Sequence, residues 1–120
     1  MQQLAQASFP VLESIGLPHC NITDRLFEHF MEINAPKLTA IDFSENRLRN
    51  ESPLTIATSS KFATIKFLDL FANEIRQTGG LALASSANLS SIEFLNILDN
   101  PIGGRAAAAV LRRFQDDVRV

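Results

Sequence analysis

Four stretches of the chain share one spacing of apolar and polar positions. They are Leu12-Glu-Ser-Ile15-Gly-Leu17-Pro-His-Cys20-Asn-Ile22, Leu38-Thr-Ala-Ile41-Asp-Phe43-Ser-Glu-Asn46-Arg-Leu48, Ile65-Lys-Phe-Leu68-Asp-Leu70-Phe-Ala-Asn73-Glu-Ile75 and Ile92-Glu-Phe-Leu95-Asn-Ile97-Leu-Asp-Asn100-Pro-Ile102. In each, an apolar residue is followed by another three positions on and a third two further; then come Asn (once Cys) and a last apolar residue. The Cys and Asn positions 20, 46, 73 and 100 lie 26, 27 and 27 residues apart. A fixed period of this length marks a stacked-repeat architecture. The alternation inside each unit predicts short strands near Glu13–Leu17, Ala40–Phe43, Phe67–Leu70 and Phe94–Ile97.

The segments between these units carry helical signals. Leu26, Phe27, Phe30 and Met31 form an apolar face behind a cap at Thr23 or Asp24, and Asn34-Ala-Pro36 ends that helix. Ser52-Pro53 predicts the start of a second, with the hydroxyl as cap and proline at the first helical position. Leu54 to Ser60 is a poor helix former, so this helix is expected to be short and held by packing. A third is expected to start through Thr78-Gly79-Gly80, with Leu81, Leu83 and Ala84 inward. The fourth, Gly104 to about Phe114, is the strongest, rich in alanine and with Arg112 and Arg113 suited to the negative end of the helix dipole. Asp116–Val120 is expected as a last short strand beside the fourth, and residues 2–9 as the end of a preceding helix.

The spacing resembles the leucine-rich repeat, Leu-x-x-Leu-x-Leu-x-x-Asn/Cys-x-Leu, and the repeat length resembles the ribonuclease-inhibitor-like subtype. The resemblance implies an α/β fold: a short solenoid of about four repeats, with a parallel β-sheet on the concave face and helices on the convex face. One domain over residues 1–120 is expected, with a partial helix at 2–9 and repeats starting near 12, 38, 65 and 92. Because the chain opens half a repeat in, without an obvious polar cap, a fragment of a longer solenoid is one expectation and an open end that meets something else is the other. Proteins with similar repeats include GTPase activators acting on Ran, cytosolic immune sensors and actin-capping tropomodulin. A repeat region of such a larger regulator is the alternative functional reading.

Asn46, Asn73 and Asn100 fall in line where the chain leaves each strand. An amide there can both donate to and accept from backbone groups that would otherwise be buried unpaired. Cys20 takes the same slot and is expected to be buried as a small apolar group.

Composition narrows the function classes. A net charge of −2 disfavours a nucleic-acid surface and an acidic membrane. No apolar run approaches the ~20 residues that span a bilayer. The start lacks the basic and apolar pattern of a signal peptide, and one cysteine forms no internal disulfide, so a cytoplasmic location is expected. Asn21, Asn50 and Asn88 each match a glycosylation acceptor pattern, read as coincidence in a chain rich in Asn, Ser and Thr.

Candidate chemistry is thin. Cys20 with His19 and His29 lacks the further ligand pair of a zinc site, and burial would oppose a low thiol pKa. Gly79-Gly80 and Gly103-Gly104 lack the Gly-Lys-Ser/Thr of a P-loop. Asp42 and Asp69 are expected side by side, with Asn96 next, but no nucleophile or third ligand accompanies them. No catalytic, cofactor or metal residues are assigned, and no cofactor is expected.

The strongest signal is apolar residues at positions predicted to be open. On the exposed sheet face Phe67 should neighbour Phe94, and Phe71 should neighbour Leu98, with Asp42, Asp69, Asn96 and Asp99 around them. Contiguous exposed apolar surface on a soluble domain usually means a partner, and aromatic side chains are favoured anchors. These eight residues are the expected partner-binding set of a non-catalytic protein-binding scaffold. Self-association through this patch or the open solenoid ends is the alternative.

Overall fold

The computed structural model describes residues 8–120, an α/β structure. Five short strands, β1 (Ser14–Gly16), β2 (Ala40–Asp42), β3 (Phe67–Asp69), β4 (Phe94–Asn96) and β5 (Val118–Arg119), form one parallel sheet in chain order. Four helices alternate with them: α1 (Asp24–Met31), α2 (Glu51–Thr58), α3 (Gln77–Ala84) and α4 (Gly103–Phe114). Single 3₁₀ turns follow α2 at Ser60–Thr64 and α4 at Gln115–Asp117. This arrangement is consistent with a leucine-rich-repeat type of fold.

Strands β1 to β4 are shorter than the alternation predicted, because each is left after three residues by a turn. Asp42, Asp69 and Asn96, the last residues of β2, β3 and β4, turn the chain alike. Each Oδ1 accepts a hydrogen bond from the backbone N–H two residues on, at Ser44, Phe71 and Leu98, over 3.0, 3.0 and 3.1 Å. Beyond that turn, Glu45, Ala72 and Asp99 adopt left-handed backbone with φ of 55°, 55° and 58°, and His19 does so at the same phase with φ 56°. Ser44 is buried by this turn.

Register pairs equivalent residues: Ile15 with Ile41, Ile41 with Leu68, Leu68 with Leu95, and Leu95 with Val118. Ile41, Leu68 and Leu95 are fully buried against the helical layer, each worth about 2–3 kcal/mol of burial. Phe43, Leu70 and Ile97 continue the core as the chain leaves the strands. Phe27 of α1 meets Phe43 edge to face at 5.1 Å.

The asparagines act across units. Asn46 accepts from the N–H groups of Cys20 and Ile22 at 3.0 and 2.8 Å, and its amide donates to the carbonyls of Leu17, Phe43 and Ser44. Asn73 accepts from Leu48 N–H at 2.9 Å and donates to Phe43, Leu70 and Phe71. Asn100 accepts from Ile75 N–H at 3.0 Å and donates to Leu70, Ile97 and Leu98. Each amide thus ties its own turn to the one before it. Cys20 departs from expectation: it is exposed, and its thiol donates to Pro18 carbonyl at 3.3 Å.

Helix ends are also served by neighbouring units. Ser52 does not cap α2, since the helix begins one residue earlier at Glu51. Instead, Asp24 of α1 accepts from the N–H groups of Arg49, Glu51 and Ser52 and from the Ser52 hydroxyl. Asn50 does the same for α3 through Arg76 and Gly79 N–H. Thr23 stands at the cap position of α1 without a side-chain cap bond. That helix closes at Met31, ahead of the expected Asn34-Ala-Pro36 stop. Lys61 donates to the Met31 and Ile33 carbonyls just past its end. Ser86 and Asn88 cap the Ala57 carbonyl of α2, and Arg113 that of Ala84 in α3.

Gly79 and Gly80 sit inside α3 rather than ahead of it. A β-carbon on Gly80 would stand 2.9 Å from Ala106 Cβ, so this glycine lets α3 and α4 approach closely. The partial helix expected over residues 2–9 falls outside the described residues except for Ser8 and Phe9. Ser8 forms a parallel bridge with Asn34, and Phe9 N–H donates to the Asn34 carbonyl at 2.8 Å.

Candidate functional site

With helices on one side, the other side of the sheet is left open. Residues alternate along a strand, so Ala40 and Asp42, Phe67 and Asp69, and Phe94 and Asn96 point away from the buried Ile41, Leu68 and Leu95. Register aligns them into two rows. The first runs Ser14, Ala40, Phe67, Phe94 and the second Gly16, Asp42, Asp69, Asn96, Arg119.

Phe67 and Phe94 stack with ring centroids 4.7 Å apart and planes 14° from parallel. Phe67 is 39% exposed while Phe94 is half-buried. Leu98 is 38% exposed. Phe71 is half-buried. These last two lie past the strands, joined through Ala72 N–H donating to the Leu98 carbonyl at 2.9 Å. The structure therefore brings Phe67 and Phe94 into ring contact and places Phe71 and Leu98 at the same phase of adjacent turns.

Asp42 and Asp69 are register partners and half-exposed. Burial is the main cause that raises the Asp69 carboxyl above its ordinary value, with the Asp42 charge adding to it and the Phe71 N–H opposing it. Asn96 continues the row as a turn-former, and Asp99 is exposed in the left-handed turn next to Leu98. One residue of this face was missed from the sequence. Arg119 pairs in register with Asn96 and holds its guanidinium 5.9 Å from the Phe94 ring centroid. The signal was present: Arg119 sits between two apolar valines in the expected last strand, which puts it on the face opposite to theirs.

Clefts lie among the helix ends and connecting segments. One of 310 Å³ is lined by Asp24, Arg25, Arg47 and Arg49, where Arg47 and Arg49 share Glu74 at 3.7 and 3.1 Å. Another of 410 Å³ is lined by Asn34, Pro36, Ser59 and Lys61. Burial lowers the Lys61 pKa, against the Glu32 charge. Among the described residues no group of three His, Cys, Asp or Glu is placed to hold a metal ion, and no helix is long and apolar enough to cross a membrane.

A family model described as Leucine Rich repeat matches residues 63–84, the segment that contains β3 and α3, and supports a leucine-rich repeat protein. No curated protein matches the chain. A leucine-rich repeat suggests protein–protein interaction in general; such domains are generally non-catalytic and typically bind protein partners.

Proposed function

We propose that this chain is a short leucine-rich-repeat solenoid that works as a non-catalytic binding module, gripping a protein partner with the open, concave sheet. The observation that carries the reading is the Phe67–Phe94 stack. Two aromatic rings stand on adjacent strands at the solvent side, on backbone fixed by buried Leu68 and Leu95 beneath them. Rigid aromatic side chains lose little entropy on binding and are preferred anchors. Phe71 and Leu98 extend the apolar surface, and Asp42, Asp69, Asn96 and Asp99 supply polar contacts around it.

The test compares wild type with Phe67→Ser and Phe94→Ser in a cross-linking pull-down, alongside thermal melts. The expected outcome is native-like melting with loss of the captured partner. Leu68→Ser serves as the contrast: it should unfold the chain, costing about 3–5 kcal/mol. Unfolding by Phe67→Ser to the same extent as Leu68→Ser would show that Phe67 serves the core and sink the reading.

A further inference from the structure

The open face is uneven in height and in charge. Level with Phe67, strands β1 and β2 offer only Ser14 and Ala40, whereas β4 offers Phe94. The aromatic stack therefore ends in a step, with one flank of Phe67 rising beside small residues. Its other end, at Phe94, already receives the guanidinium of the chain's own Arg119 at 5.9 Å. Along the strands from that step stand Asp42 and Asp69, on backbones about 4.8 Å apart. Each commits one carboxylate oxygen to a turn N–H, and neither joins a salt bridge among the described residues.

We propose that this step receives an arginine or lysine side chain of the protein partner, with the charged head at Asp42 and Asp69 and the body lying over Ala40 against Phe67. The inference rests on the open-face reading above and specifies the partner's chemistry. Two features of the face favour a cation here. The carboxylate pair is uncompensated, so an incoming positive charge meets attraction and relieves repulsion between like charges. The aromatic stack already has a guanidinium near Phe94, the geometry in which ring faces attract cations. Arginine fits better than lysine, because its planar fork can stack and bond two carboxylates at once.

The experiment pans a phage-displayed random dodecapeptide library on wild type, on Phe67→Ser and on the Asp42→Asn/Asp69→Asn double variant. The amide substitutions preserve the turn acceptors, as Asn96 shows for Leu98 N–H. Wild type is expected to enrich peptides with Arg or Lys next to an apolar residue. A synthetic peptide of that sequence should bind the double variant at least about tenfold more weakly, and its citrulline analogue should lose affinity for wild type similarly. Peptides that depend on Phe67 but carry no basic residue, or that bind the double variant unchanged, would overturn the cation site and leave the open-face reading standing. No Phe67-dependent enrichment would remove both. A concentration-dependent dimer abolished by Phe67→Ser, without peptide binding, would make a second copy the occupant and overturn the proposal.

Discussion

At the scale of single residues, the ladder asparagines complete the hydrogen bonding of backbone groups in adjacent turns. Asn73 serves Leu48 N–H and the carbonyls of Phe43, Leu70 and Phe71 while itself buried. Removing the amide leaves the buried Leu48 N–H unpaired, at about 1–3 kcal/mol, and takes one donor from each of three carbonyls that keep another. Asn73→Ala should therefore lower stability by about 2–4 kcal/mol in urea unfolding. Cys20→Ala, at the same phase but exposed, should cost less than about 0.5 kcal/mol. Equal effects at the two positions would show that the amide bonds are not what matters. Asp69 gives a pH-dependent counterpart. Its carboxyl is raised in the folded chain, chiefly by burial, so the folded state holds the proton more tightly than the unfolded state. Stability from this group is full at low pH and falls as pH rises through the carboxylate range to the folded value. Asp69→Asn keeps the acceptor for Phe71 N–H and removes that loss. It should melt above wild type at pH 7, and the two should converge near pH about 3. Thermal melts across that range check the sign.

At the scale of elements, the helices are short and are finished by their neighbours. Asp24, in the first turn of α1, satisfies the free N–H groups that open α2, and the same carboxylate complements that helix's positive end. Asp24→Ala should cost about 1–3 kcal/mol, because one truncation removes several bonds. Thr23→Ala, which breaks no cap bond, should cost less than about 0.5 kcal/mol. Hydrogen exchange offers the sharper reading: protection should be lost at Glu51 and Ser52 in α2, although the mutated residue is in α1. Loss confined to α1 would contradict capping between units. This also explains where sequence reading stopped. The first helix followed from apolar periodicity and the second from Ser52-Pro53, but Ser52 was expected to be the cap because local rules search within three residues. The groups that cap α2 and α3 stand 25 to 29 residues away in sequence. Such partners become visible only once the units are laid side by side.

At the scale of the whole molecule, the stacking of equivalent residues was legible because period two fixes the face and the 27-residue period fixes the neighbour. Ile41, Leu68 and Leu95 in one buried row, and Phe67 beside Phe94 in the open row, both follow from that arithmetic. Arg119 on the open face needed only the same arithmetic carried one strand further. Helix spacing did not follow, because it depends on which small residue faces which neighbour. Strands sit about 4.8 Å apart, whereas helices in ordinary contact need about 8–10 Å. Where α3 meets α4, Gly80 faces Ala106 and Ile102, and a β-carbon would fall 2.9 Å from one and 3.2 Å from the other. Gly104, at the start of α4, has nothing within 4 Å of the same position and lacks the positive φ of Gly103. Helix propensity alone favours alanine over glycine at both sites by up to about 1 kcal/mol. Overpacking costs about 1–3 kcal/mol and acts only at Gly80. Gly80→Ala should then destabilise by about 1 kcal/mol while Gly104→Ala stabilises by several tenths, the same substitution with opposite signs. Urea midpoints measured side by side decide it: if both variants gain stability, the two helices have room to separate and their close approach does not constrain the stack.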